Sequence, residues 1–106
     1  MAASYSFHPE ALFEYAEATS YYLREVSAEV AERFVTVVES AIATLLAAPT
    51  RWHVVEQPGI RRYICDRFPF VIYYRWEPQY ERVTIYAVMH CSREPGYWRR
   101  RMAQGI

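Results

Sequence analysis

The chain changes its hydrophobic period near its middle. Ser4, Tyr5, Ser6 and Phe7 alternate polar and apolar, which predicts a short strand. His8-Pro9-Glu10 then reads as a helix start, because proline suits the first turn and an acid suits the positive end of the helix. Leu12, Tyr15, Ala18 or Thr19, and Tyr22 recur at helical spacing, while Glu10, Glu14, Glu17 and Glu25 fall mostly on other faces. Ser27 is a good N-cap for a second helix. Along it Val30, Phe34, Val37 or Val38, Ala41 and Leu45 repeat every three to four residues, with Ala31, Val35, Ile42 and Leu46 beside them. Pro49 ends the stripe. Two helices so closely joined predict an antiparallel pair.

Beyond Pro49 the period becomes two. Residues 60–65, 70–76 and 83–89 are dense in β-branched and aromatic side chains and predict three strands. Phe68-Pro69 and Glu77-Pro78-Gln79-Tyr80 supply the turns of an antiparallel meander. Residues 97–102 predict one or two turns of helix. The expected fold class is therefore α+β, a single domain over residues 1–106. Its order is β-α-α-β-β-β, a helical hairpin on one face of an antiparallel four-stranded sheet, with a short C-terminal helix. Strict alternation in the last strand puts Val83, Ile85, Ala87 and Met89 on one side and Tyr86 and Val88 on the other. Both sides are apolar, so the C-terminal tail or another chain must cover the second face.

Composition narrows the classes. A hydrophobic content of 53% excludes a disordered chain. No apolar run approaches the ~18–20 residues of a membrane span. The N-terminus has no signal-peptide pattern, so a cytoplasmic protein is expected. Cys65 and Cys91 are too few for a disulfide framework or a zinc site and are expected as reduced thiols; no metal and no cofactor is anticipated. The net charge of zero hides a split. Residues 1–50 hold seven Glu against two Arg, a net of −5, and residues 51–106 hold ten Arg against five acids, a net of +5. Either the basic half meets an anionic partner, or it neutralises the acidic half inside the fold. No lysine is present to act as a general base.

The basic half ends in AVMHCSREPGYWRRR, residues 87–101. RNA scission through the 2′-OH needs a base, an acid and cations for the charged transition state. His90, at a strand end, suits the proton transfers, whereas His53 sits in a loop after Trp52. Arg61, Arg62, Arg75 and Arg93 suit a phosphate, Tyr97 suits a base stack, and Glu56 is the carboxylate able to complete a pair with histidine. Each residue also has a plain structural role open to it. His90 would close its strand onto a carbonyl. Arg61, Arg62 and Arg75 would pair with Glu10, Glu14 or Glu17. Tyr97 and Trp98 would pack under the tail. Arg99, Arg100 and Arg101 would be solvated, since three consecutive helical residues point three ways. Ten tyrosines among so many arginines favour a protein–protein surface over catalysis. A zero net charge and the lack of a recognition-helix pattern exclude a general DNA-binding module.

Four stretches carry a resemblance: HPEALFEYAEATSYY, AERFVTVVESAIATLLAAP, IRRYICDRFPFVIYYR and VTIYAVMHCSREPGYWRRR. Together they make the chain similar, from Phe7 to about Arg101, to the RelE/ParE superfamily of bacterial toxins from type II toxin–antitoxin pairs, nearer the ParE and plasmid-stabilisation branch. The most specific feature is Arg-x₅-Phe-Pro-Phe-x-Ile-x-Tyr, from Arg62 to Tyr74, followed by the strand that closes in His90 and Arg93 and then Pro95, Tyr97 and Trp98. The resemblance implies a first strand lying beside the last, and a cognate antitoxin that wraps the toxin as a hetero-oligomer, with Val30, Phe34, Val38 and Tyr86 as its expected contacts. It implies one of two activities: binding and inhibition of DNA gyrase, or ribosome-dependent mRNA cleavage, in which His90, Arg93 and Arg62 would be catalytic. A third alternative is an inactive member that binds antitoxin and co-represses the operon. Under the gyrase reading, Arg61, Arg62, Arg75, Arg93, Tyr97, Trp98, Arg99 and Arg100 form the target- or anion-binding surface.

Overall fold

The computed structural model describes residues 3–94 and 96–104; Pro95, in the family-like stretch, lies outside them. The order is β1 (Ser4–Phe7), α1 (Pro9–Glu25), α2 (Ala28–Ala47), β2 (Val54–Glu56), β3 (Ile60–Ile64), β4 (Phe70–Glu77), a 3₁₀ turn over Pro78–Tyr80, β5 (Arg82–His90) and α3 (Arg100–Gln104). Local chemistry explains the helix ends. Pro9 occupies the first turn of α1, and the His8 Nδ1 accepts the Glu10 N–H at 3.1 Å. The Ser27 hydroxyl accepts the Val30 N–H at 3.1 Å, which starts α2.

The sheet departs from the expected four antiparallel strands. Among the described residues it has five, in the order β1-β5-β4-β3-β2, and it is mixed. β1 runs parallel to β5, with Phe7 opposite Ile85, while β5, β4, β3 and β2 are antiparallel neighbours. The extra strand, β2, spans three residues at the far edge, too short to show an alternating pattern. The implied neighbourhood of first and last strands is present.

The helical hairpin covers one face. Phe34, Val38, Ala41, Ile42 and Leu45 of α2 are buried against Phe70, Ile72, Tyr74, Val83, Ile85 and Val88 of the sheet. Fully burying a side chain of this size contributes about 1.5–3 kcal/mol. Phe34 and Val38 are 0% exposed. They are therefore core, not surface contacts for another chain, because the stripe that carries them is the one facing the sheet. Val30 is half-buried, and Tyr86 is buried on the other side of the sheet.

The opposite face has its own cluster: Ile60, Val71, Tyr73, Tyr86, Ala87, Met89 and Trp98, flanked by Tyr97 and Met102. The tail supplies the cover that the last strand demands, with the Trp98 ring 4.7 Å from that of Tyr73. The assignment of faces in β5 needs one correction. Tyr73 pairs with Ala87 but Tyr74 pairs with Ile85, so Tyr86 is an extra residue and the ladder shifts. This β-bulge leaves Tyr86 on its expected face and reverses the parity of the strand from Ala87 onward. Val83, Ile85 and Val88 join the helix-side core, while Tyr86, Ala87 and Met89 join the other cluster. Among the described residues, no helix is long and apolar enough to cross a membrane.

A candidate partner-binding groove at the end of β5

β1 stops pairing with β5 at the His8 N–H, which donates to the Ile85 carbonyl at 2.8 Å. The rest of that edge is met by side chains. The Arg101 guanidinium donates to the Tyr86 carbonyl at 2.9 Å, and the Glu14 carboxylate accepts the Val88 N–H at 3.1 Å. Glu14 lies one turn beyond Glu10 on α1, so both acids face the incoming tail. Glu14 accepts from both terminal nitrogens of Arg101, at 3.0 and 2.9 Å, and from the Tyr97 hydroxyl. Arg93 lies 3.6 Å from the same carboxylate and stacks its guanidinium over the Tyr97 ring at 3.7 Å.

These residues frame a groove of about 770 Å³ between α1 and the end of β5, whose apolar lining includes Phe13, Ala18, Phe70 and Val88. His90 lines the same groove, brought to the helix side by the bulge. Its Nδ1 accepts the Ser92 N–H at 3.0 Å and lies 2.7 Å from the Ser92 hydroxyl. A ring nitrogen that accepts a backbone N–H carries no proton, so the neutral ring holds its proton on Nε2. The bond closing the strand end runs from Ser92 into the ring, not from His90 to a carbonyl. Burial, reinforced by the bond to Glu14, pushes the Tyr97 phenol well above its ordinary range and keeps it a donor.

The structure brings His90, Arg93 and Tyr97 together and separates the remaining expected residues. Arg61 and Arg62 are neighbours on β3, opposite Tyr74 and Tyr73 respectively, and so point to opposite faces. The Arg61 guanidinium donates to the carbonyls of Thr50, at 3.2 Å, and Trp52, pinning the loop after α2. Arg75 sits near Glu77 and Tyr86. Trp98 is core. Arg99 is held at 2.7 Å by Glu56, whose carboxyl is lowered by that hydrogen bond. Arg100 meets Glu10 at 3.0 Å. Arg61, Arg62, Arg75 and Arg93, the arginines suited to a phosphate, are thus not gathered in one place, because alternation along β3 splits the first two.

Arg101 overturns the expectation of a solvated triplet. It is 2% exposed, with Glu14 at 2.9 Å and Glu10 at 3.8 Å. Burial alone would lower its pKa; the hydrogen bonds and charge of Glu14 outweigh that and raise it. Sequence reasoning also misses Glu14 as the hub, although Glu10 and Glu14 at a spacing of four carry a signal.

Comparison with known proteins bears on the fold and the family. Among curated proteins, no sequence matches the chain significantly. A solved structure of the chromosomal ParDE toxin–antitoxin system of P. aeruginosa superposes with a TM-score of 0.69 at 17% identity, over 85% of this chain and 95% of that one. A mutant of the E. coli toxin RelE in the free state superposes with a TM-score of 0.65 at 16% identity, over 100% and 99%. At such identities the likeness is one of fold. The profile of a family described as the ParE toxin of the type II toxin–antitoxin system parDE matches residues 5–95. By that match, which takes in α1, α2, β2 to β5 and all of β1 but Ser4, the chain belongs to the ParE toxin family of type II toxin–antitoxin systems.

Proposed function

We propose that the chain is a toxin that acts by binding rather than by cutting, that its target is DNA gyrase, and that a cognate antitoxin silences it in the cytoplasm. One observation carries the choice: the arginines of the basic end are already met by carboxylates. Glu14 takes Arg101 and Arg93, Glu10 takes Arg100, and Glu56 takes Arg99. A phosphate held for in-line cleavage would compete with those acids for every guanidinium. The His90 tautomer agrees, since a base at Nε2 must begin without a proton there. A protein partner suits the site better. Arg93, exposed and stacked on Tyr97, is an aromatic–guanidinium surface of the type that dominates protein interfaces. An antitoxin partner is supported by the family and by the ParDE likeness.

A second reading keeps support from one fact: His90, Arg93 and Tyr97 do share a groove. The two readings separate in one experiment. Purified chain should inhibit gyrase supercoiling, and Arg93→Ala should weaken that inhibition. Primer extension on cellular mRNA should show no new cuts. Codon-specific cuts that vanish with His90→Ala would establish the mRNA endonuclease instead, and inactivity in both assays would leave the co-repressor role.

A further inference from the structure

β5 contains one residue more than β4 can pair. Tyr74 faces Ile85 and Tyr73 faces Ala87, so Tyr86 is spare. Beyond it the strand is apolar on both faces. Val88 is buried in the helix-side core, and Ala87 and Met89 are buried in the tail-side cluster. A slip of one residue normally fails because it exchanges a buried face for a wet one. Here it would exchange one buried apolar face for another. If residues 86–89 each advanced one place toward the start of β4, Tyr86 would face Tyr73, Ala87 would face Ile72, Val88 would face Val71 and Met89 would face Phe70. The ladder would then run without a bulge. It would gain an aromatic pair, a β-branched pair and a thioether beside a ring. It would lose volume where Ala87 replaces Val88 beside Ile72, and it would give up the contact of the His90 and Phe70 rings at 5.2 Å.

The side chains of β5 therefore choose weakly between two registers, and the choice falls to groups outside the strand. Arg101 donates to the Tyr86 carbonyl at 2.9 Å, and Glu14 accepts the Val88 N–H at 3.1 Å. These two clamps are themselves joined, at 2.9 Å. Slipping by one residue carries Val88 about 3.3 Å along the sheet and turns its N–H from the free edge toward β4. The bond to Glu14 exists in one register only. We infer that the Arg101–Glu14 pair is a register clamp. With the tail docked, β5 keeps its bulge and His90 lines the groove. With Arg101 withdrawn, the strand end slips by one, His90 turns to the other face of the sheet, and Cys91 takes its place on the groove side. Docking of the tail thereby sets which side chain closes β5 at the groove. The inference concerns the chain alone and does not rest on the gyrase reading.

The test is NMR on the full chain. In the parent, saturation-transfer measurements on the amides of residues 86–91 should find a minor state populated at about 0.1–10%. The Met89 methyl of the major state should show contacts to the rings of the tail-side cluster, Tyr73 and Trp98. In Arg101→Met the minor set should grow about tenfold, and its Met89 methyl should contact the Phe70 ring on the helix side instead. Deleting Tyr86 from the Arg101→Met chain should remove the second set, because no spare residue is left to move. Absence of any minor state in the parent overturns the inference, even where Arg101→Met does not fold. So does a second set with the shifts of an unfolded strand end, or one that survives deletion of Tyr86, since both mark fraying rather than slippage. Where the deletion does not fold, the methyl decides: a second set in which Met89 still touches Tyr73 and Trp98 refutes the clamp.

Discussion

Replacing Glu14 with alanine should be the most damaging single change on α1. The carboxylate is 11% exposed and serves the Val88 N–H, the Tyr97 hydroxyl and both terminal nitrogens of Arg101. Arg101, whose side chain is 3% exposed, would be left with the Tyr86 carbonyl and Glu10, 3.8 Å away. Breaking a buried pair on one side costs about 3–5 kcal/mol. Arg93 adds little to the total, since its side chain is 54% exposed and exposed pairs contribute about 0–1 kcal/mol. For a chain of this size a loss of ~3 kcal/mol lowers Tm by roughly 12–24 °C. Glu14→Gln keeps a single acceptor oxygen, which can serve the Val88 N–H, and turns its amide N–H2 toward the Tyr97 hydroxyl and Arg101, so the loss of the charge and of one acceptor should still cost about 1.5–3 kcal/mol. Chemical denaturation of Glu14→Ala, Arg101→Met and the double variant completes the measurement. The double variant should recover part of the loss, because neither charge is then buried alone, with a coupling of about 0.5–3 kcal/mol. A Glu14→Ala loss under ~1 kcal/mol, or single effects that simply add, would refute the view that one carboxylate ties the tail to the sheet.

Thiol labelling and acid titration probe two other parts of the molecule. Cys91 is exposed and Cys65 is buried, its thiol pushed up to about 11 chiefly by burial, so a thiol reagent at neutral pH should label Cys91 in the folded protein and Cys65 only after unfolding; rapid labelling of both would contradict the packing at the end of β3. Burial acts to raise the Glu77 carboxyl, but hydrogen bonds from Thr84, at 2.6 Å, and from Arg82 win and hold it below its ordinary 4.5. Its stabilising contribution is therefore complete above about pH 4.5 and is lost as the pH falls through the lowered value. Urea midpoints of the parent chain should drop across that interval more steeply than those of Glu77→Gln, and equal slopes would remove Glu77 from the account.

What the sequence revealed divides by the range of the interaction. Pro9, Ser27 and Pro49 mark helix ends through contacts a few residues away, and the helices begin and stop close to where those residues place them. The wide stripe on α2 was legible as apolar, but a stripe alone does not say whether it meets its own sheet or another chain; Phe34 and Val38 meet the sheet. β2 is too short to carry a period, and the bulge at Tyr86 arises from pairing with β4, which no local pattern encodes. At the groove, His90, Arg93 and Tyr97 were legible because they follow one another along one strand end and tail. Arg61 and Arg62 were grouped despite an alternation that separates them. Arg101 was misplaced because the docking of the tail, not the helix it belongs to, decides which of three adjacent arginines turns inward.

The extra residue in β5 has a consequence for comparing relatives. A toxin of this fold that lacked the insertion, yet was aligned to this chain without a gap, would have its strand-end side chain matched column by column with His90 while projecting from the reverse surface of the sheet. Identity in that column would then imply no shared position in space. A difference there would not imply a lost role unless the gap were first set at Tyr86.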